Sequence, residues 1–222
     1  MWMALTKTQL ASLWRSFMQN EILFMLIGYV IGCFQTAYFI GKIVGKIDIR
    51  EHGSGNAGMT NVIRVMGVKP GVIVLVLDVA KAVGAIMLAN YVFHGRVYGM
   101  QGIEYLPGLL TGLGVILGHN FPFYLKFRGG KGIASTLGLA LMFDLRVLAA
   151  AAVVGIVLLL TVKYMSLASL AALVVFATAT TILFNEPSII IVAWIIAALG
   201  FFTHRKNIAR LLNGTESKFN IL

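Results

Sequence analysis

Seven stretches of nearly unbroken apolar residues, separated by short polar loops, constrain this chain more than any other feature: residues 22–45, 70–93, 105–125, 131–145, 147–163, 165–184 and 188–203. A helix needs about 20 apolar residues to cross the hydrocarbon core of a bilayer. Lipid offers no partner to an unpaired backbone N–H or C=O, so helices are the natural form for such stretches. Mean hydropathy is +0.90, and only 12% of the residues are charged, about half the share of a soluble domain. The expected fold is all-α: a polytopic membrane helix bundle of about seven transmembrane helices, forming a single domain over residues 22–222. The third stretch is interrupted between Gly118 and Pro122 and the fourth is short, so both are expected to be broken or tilted. If neither crosses, five spans remain and the termini keep the same sides. Residues 1–21, with Trp2, Trp14 and Phe17 among polar neighbours, read as an N-terminal extension in the form of an interfacial helix. No apolar block follows a basic segment with a small-residue cleavage site, so the first span is expected to serve as the targeting signal.

The distribution of cations gives the orientation. With alternating spans, Lys7, Arg15, Arg96 and Arg146 fall on one side, 4 in all. The other side receives 13: Lys42, Lys46, Arg50, Arg64, Lys69, Lys126, Arg128, Lys131, Lys163, Arg205, Lys206, Arg210 and Lys218. Positive charge stays in the cytoplasm, which puts the N-terminus outside and the C-terminus inside. The net charge of +10 does not indicate nucleic acid, because the cations are dispersed among loops and form no single stripe. Anionic substrates and lipids explain them better. Cys33 is the single cysteine, which excludes an internal disulfide and a thiolate metal cluster.

The same orientation brings three polar clusters to the cytoplasmic face. The first is Gly53-Ser54-Gly55-Asn56-Ala57-Gly58-Met59-Thr60-Asn61-Val62-Ile63-Arg64, with alternating glycines, hydroxyls and amides. Having no carboxylate within it, this loop suits a polyol or a phosphate better than a metal cation; a solvated turn is its plainer reading. The second runs from Gly118 to Gly132 and ends in Arg128-Gly129-Gly130-Lys131-Gly132. Glycines let backbone approach an anion, their N–H groups form a nest, and Lys131 adds a point charge. It is not a Walker A loop, since Leu125 stands where the first Gly belongs and Gly132 follows the Lys. A basic turn obeying topology rules is the alternative. The third cluster spans His204 to Glu216; on a helix, His204 and Asn207 share a face with Arg210 close by. A neutral His and an amide contribute nothing to topology, whereas Lys206 and Lys218 read as anchors. Inside the second span, Asp78 and Lys81 are three residues apart and are read as a structural pair that steadies neighbouring loops. His52 and His94 carry no assigned role.

Taken together, the three clusters resemble the bacterial acyl-phosphate:glycerol-3-phosphate acyltransferase family, which is membrane-integral. Its motifs Gly-Ser-Gly-Asn-x-Gly-x-Thr-Asn, Gly-His-x-Phe-Pro-x-x-x-x-Phe-x-Gly-Gly-Lys-Gly and His-x-x-Asn-x-x-Arg match Gly53 to Asn61, Gly118 to Gly132 and His204 to Arg210. The chain departs from shorter members in its N-terminal stretch and in Met59 at a variable position. The resemblance implies transfer of a fatty acyl group from acyl phosphate to the 1-hydroxyl of sn-glycerol 3-phosphate, giving lysophosphatidic acid and phosphate in phospholipid biosynthesis. It implies membrane lipids as surroundings, the bacterial inner membrane as location, no cofactor and no metal, and it leaves the oligomeric state open. Carried over residue by residue, Ser54, Arg64, Lys131, His204 and Asn207 contact glycerol phosphate and the transferring group, with Ser54, Lys131, His204 and Asn207 catalytic. Asn56, Thr60, Asn61, Gly129 and Gly130 line the donor phosphate pocket, and His119 braces or lines it.

The His-x-x-x-x-Asp signature of thioester-dependent glycerolipid acyltransferases is absent: His52, His94, His119 and His204 are followed at that spacing by Ala57, Gly99, Tyr124 and Ala209. An acyl phosphate donor is expected over a thioester. No Asp or Glu falls inside the matched motifs, so two mechanisms stand: positioning with a substrate phosphate oxygen as proton acceptor, or His204 as general base. A transporter or flippase for a phosphorylated metabolite is the alternative function. It would need midplane polar residues and an inverted repeat, whereas the fifth to seventh stretches are almost wholly apolar and no repeat is evident.

Overall fold

The computed structural model describes residues 21–94 and 105–219. Every regular element among them is helical. Helix α1, residues 21–32, is followed after a break at Cys33 to Gln35 by α2, Thr36–Ile43. A short 3₁₀ turn, Ile49–Glu51, and α3, Met59–Met66, carry the first polar loop, and α4, Val68–His94, follows directly. Then come α5, Tyr105–Asn120; a 3₁₀ turn, Phe123–Leu125; α6, Ile133–Phe143; α7, Leu145–Val162; α8, Met165–Leu183; α9, Pro187–Thr203; and α10, Arg205–Leu212.

All seven apolar stretches are helical, and among the described residues four or five helices are long and apolar enough to be counted as full spans. Four have the length and hydropathy to cross a bilayer: Glu21–Ile43, Val68–Val92, Leu145–Val162 and Met165–Leu183; a fifth arises if Pro187–Thr203 and Arg205–Leu212, bent by 62°, are one span. We take Pro187–Thr203 as the last span, with α10 turned away from it. At 16 and 11 residues, α5 and α6 rise about 24 and 16 Å against a hydrocarbon core of about 30 Å. The expected interruption after Gly118 lies at Asn120, where α5 stops. Helix α6 ends just as abruptly, because Asp144 caps the next helix by accepting bonds from the N–H groups of Arg146 (2.8 Å) and Val147 (3.3 Å). The interfacial helix expected over residues 1–21 falls outside the described residues, apart from residue 21.

Between membrane helices there is little hydrophobic force, so close backbone approach does the work. At the α1–α5 crossing four glycines interlock: a Cβ on Gly28, Gly32, Gly114 or Gly118 would lie 2.0–2.3 Å from a backbone carbonyl oxygen of the facing helix. This pairing holds α5, and hence the second polar cluster, against α1. A main apolar core joins α5, α6, α8 and α9 around Leu109, Leu139, Phe176 and Ile196. At the end remote from the polar clusters, Phe143 stacks on Phe184 (4.9 Å) and Tyr105 meets Phe184 edge-on (4.8 Å). Helix α7 packs mainly on α8 and leaves Val153, Val157 and Leu160 more than half exposed, as befits a lipid-facing surface. A second small core of Ala37, Ile49, Ala57, Val62 and Val74 seats the first polar loop on α2 and α4.

Candidate active site

The first polar loop is rigid because its own side chains consume its backbone groups. Asn61, 1% exposed, accepts a bond from the Ser54 N–H (2.7 Å) and donates to the carbonyls of Ile49 and His52 (both 3.0 Å). Gly53 has φ +59, and a Cβ there would lie 2.3 Å from the Asn61 side-chain oxygen, so only glycine allows the clasp. Arg50, paired to Asp48 at 2.8 Å, donates to the Leu125 carbonyl (3.1 Å) and ties this loop to the second.

The second loop turns back over the end of α5. Gly130 and Gly129 donate their N–H groups to the carbonyls of His119 (3.0 Å) and Asn120 (3.1 Å), and Gln35 donates to that same His119 carbonyl (2.7 Å). Lys126 and Phe127 take left-handed conformations, with φ 55 and 57, to complete the reversal. The expected anion nest is thereby corrected. The N–H groups of Gly129 and Gly130 are spent inside the turn, and neither residue lines the cavity described below. Gly130 is needed for space: a Cβ would lie 2.0 Å from His119 Nε2 and 2.7 Å from the Ala57 carbonyl. Instead Lys131, Gly132, Ile133 and Ala134, the entry to α6, face the cavity, and a helix start favours negative charge.

The third cluster meets the second through Lys131, whose Nζ donates to the Asn207 side-chain oxygen at 2.5 Å. The Asn207 amide nitrogen donates to Glu216 (2.7 Å), which also accepts from Ser166 Oγ (2.7 Å) and Arg210 Nε (2.6 Å). Burial alone would raise the Glu216 carboxyl, but bonds from Asn207, Ser166 and Arg210 outweigh it and hold the group below its usual value. Burial, with Arg210 and Arg64 nearby, lowers Lys131 to about 8 against the pull of Glu216. His204, just past the end of α9 and 2% exposed, donates Nδ1–H to the Gly200 carbonyl at 2.8 Å, which leaves Nε2 as an acceptor. Burial and the Lys131 charge push its pKa down to about 4, so it is neutral at physiological pH.

These parts enclose one cavity of about 760 Å³. Of the expected site residues, Ser54, Asn56, Thr60, Asn61, Arg64, His119, Lys131, His204 and Asn207 line it; the amide of Asn61 has no group left to offer a ligand. Arg64 and Ser54 are exposed at its rim, and Arg64 makes no ion pair or side-chain hydrogen bond among the described residues. Away from the cations the wall is apolar, built by Leu148, Ile156 and Leu159 of α7 and Ala168, Ala172 and Phe176 of α8. Sequence reasoning missed Glu216, Ser166 and Gln35. Gln35 and Ser166 carry the one usable signal, a polar side chain within or at the edge of an apolar stretch. Asp78 also reaches the cavity, where Thr36 Oγ1 (2.9 Å) and Lys81 (2.8 Å) both hold its Oδ1. No group of three or more His, Cys, Asp or Glu is placed to hold a metal among the described residues.

A family model for glycerol-3-phosphate acyltransferase matches residues 22–214. The chain belongs to this family. A glycerol-3-phosphate acyltransferase of Thermoanaerobacter pseudethanolicus is 42% identical over 197 residues, covering 89% of this chain and 94% of the relative. One of Shouchella clausii is 41% identical over 199 residues, covering 87% and 93%. Among solved structures, the glycerol 3-phosphate form of PlsY (YgiH), an integral membrane glycerol 3-phosphate acyltransferase, superposes with a TM-score of 0.79 at 32% identity, covering 90% of this chain and 96% of that one. Its lysophosphatidic acid form gives 0.77. The acyltransferase match stops short of Glu216, so the carboxylate that holds Asn207 lies just outside it.

Proposed function

We propose that the acyltransferase moves a fatty acyl group from acyl phosphate to the 1-hydroxyl of sn-glycerol 3-phosphate, yielding lysophosphatidic acid and inorganic phosphate. The observation that carries this reading is the mixed character of this cavity: cations and a helix start at one end, an apolar trough between α7 and α8 at the other. Two phosphate-bearing substrates need the first and an acyl chain needs the second. Arg64 and Ser54 at the rim hold the phosphate of glycerol 3-phosphate, while Asn56 and Thr60 face the donor phosphate. Lys131, fixed by Asn207, sits between the two. Asn61, Gly129 and Gly130 build these loops rather than bind.

The 1-hydroxyl oxygen attacks the acyl carbonyl carbon, the bond from that carbon to the phosphate oxygen breaks, and the departing phosphate takes the hydroxyl proton. The Asp78 carboxylate is neutralised by Lys81 at Oδ1, and Glu216 is held by Asn207, Ser166 and Arg210, which argues against a carboxylate base. His204 accepts the hydroxyl hydrogen bond at Nε2 and aims the nucleophile; with a pKa near 4 it is too weak a base to hold that proton at neutral pH. Positioning and charge stabilisation then supply the rate.

Donor and orientation are testable together. Purified protein with radiolabelled glycerol 3-phosphate is expected to form product with palmitoyl phosphate and not with palmitoyl-CoA or palmitoyl carrier protein. The cation distribution supports a site on the cytoplasmic face of the bacterial membrane, so in sealed membrane vesicles glycerol 3-phosphate added outside should react in inverted vesicles only. Turnover from palmitoyl-CoA alone would refute the donor, and activity confined to right-side-out vesicles would refute the orientation.

A further inference from the structure

The ammonium of Lys81 lies inside a membrane helix, with its side chain 6% exposed, a costly place for a charge unless every proton is used. Each is. Nζ donates to Asp78 Oδ1 (2.8 Å), to the Phe34 carbonyl left open by the break between α1 and α2 (2.9 Å), and to His119 Nδ1 (2.8 Å). The third bond has a consequence for the cavity. An ammonium has three donors and no acceptor, so the nitrogen it meets on His119 must be a lone pair. The carboxylate of Asp78 is 3.7 Å from that same nitrogen, beyond hydrogen-bond range. Nδ1 of His119 is therefore unprotonated, and the ring proton of the neutral imidazole sits on Nε2.

That nitrogen meets no acceptor among the described residues. The His119 side chain is 5% exposed, and the residue lines the cavity beside Lys131. Gly130 keeps Nε2 accessible, since any Cβ there would occupy the space 2.0 Å from it. His204 is the reverse case, with Nδ1–H spent on Gly200 and Nε2 offering a lone pair. The two buried imidazoles thus hold opposite tautomers around one cavity.

We propose that Lys81, anchored by Asp78 and Phe34, is a positioning residue that fixes His119 as the Nε2–H tautomer, making His119 a hydrogen-bond donor to an anionic oxygen of the reacting acyl phosphate. His204 accepts from the attacking hydroxyl and His119 donates to the charge that the attack develops. This rests on the acyl-transfer reading of the cavity, and its tests separate the two. Nitrogen NMR on ¹⁵N-histidine-labelled wild-type protein, with His119 assigned by its loss in His119→Asn, reads the tautomer without any substrate. The expected result is protonated Nε2 and unprotonated Nδ1 for His119, with the opposite pattern for His204. In the acyl-transfer assay, Lys81→Met releases the tautomer and should lower kcat roughly a hundredfold, the scale of losing one oxyanion donor, with KM for glycerol 3-phosphate changed by less than about twofold. Lys81→Arg keeps a donor toward Nδ1 and should recover much of the loss. His119→Gln, whose amide reaches the place of Nε2, should outperform His119→Asn, whose amide reaches only that of Nδ1. A His119 protonated at Nδ1 in the wild-type protein would overturn the proposal, whatever the variants do. Wild-type kcat in folded Lys81→Met would overturn it equally, while absence of wild-type turnover with palmitoyl phosphate would strike the acyl-transfer reading and leave the tautomer standing.

Discussion

Lys131→Ala is expected to lower kcat/KM by at least a hundredfold, whereas Lys126→Ala, five residues earlier on an exposed left-handed turn, should change it by less than about threefold. The difference lies in what surrounds the two ammonium groups. Lys131 is largely withdrawn from water, bonded to Asn207 and beside the start of α6, where a preorganised charge contributes on the order of 3 kcal/mol to a developing anion. A cation on an exposed turn is screened and contributes little. The same burial sets a pH limit. The Lys131 pKa is lowered to about 8, and only the protonated form attracts phosphate, so kcat/KM should be full well below pH 8, half lost near it and fall further as pH rises. Bound phosphate favours the charged form, which moves the limb in kcat to higher pH. Steady-state rates from pH 6 to 9.5 check both; equal losses in the two alanine variants would mean a generic basic patch.

Gly114→Leu should abolish recoverable folded protein, or lower its thermal midpoint by well over 5 °C, while Gly84→Leu on α4 should be tolerated. A Cβ at Gly114 would lie 2.2 Å from the Met25 carbonyl oxygen, whereas at Gly84 nothing lies within 4 Å. A backbone atom cannot swing aside as a side chain can, so α1 and α5 must separate, at a cost on the order of 3 kcal/mol. Activity should fall with it, because α5 carries His119 and the carbonyls that hold Gly129 and Gly130. Size-exclusion profiles and thermal melts of the detergent-solubilised variants provide the comparison.

Much of this architecture is legible in the sequence because polar groups are conspicuous in an apolar chain. The seven helical stretches, the break after Gly118 and the convergence of Ser54, Arg64, His119, Lys131, His204 and Asn207 all follow from hydropathy, spacing and the motif resemblance. Lengths were less legible. The apolar run 131–145 looks longer than α6 because Lys131 and Gly132 turn into the cavity and Asp144 caps the following helix. Hydrogen-bond commitments are the other gap. Asn61 reads as a ligand from its motif, yet its amide closes its own loop. Gly129 and Gly130 read as anion donors, yet carbonyls nine and eleven residues back consume their N–H groups. Glu216 closes the third cluster with no role that its spacing suggests, yet it sets the side chain that meets Lys131. Pairings of this kind depend on tertiary approach, which no local pattern encodes.

The central claim is that one cavity holds both the phosphate chemistry and the acyl chain. A palmitoyl phosphonate, which mimics acyl phosphate without releasing phosphate, can carry a photoreactive group at the chain terminus and be irradiated with the purified protein. The peptides it labels should come from the trough walls, Leu145–Val162 and Met165–Leu183. Excess palmitoyl phosphate should suppress that labelling, and Lys131→Ala should weaken it severalfold. Labelling confined to the outer face of Val68–His94, or left unchanged by both the competitor and the Lys131 substitution, would contradict a shared cavity.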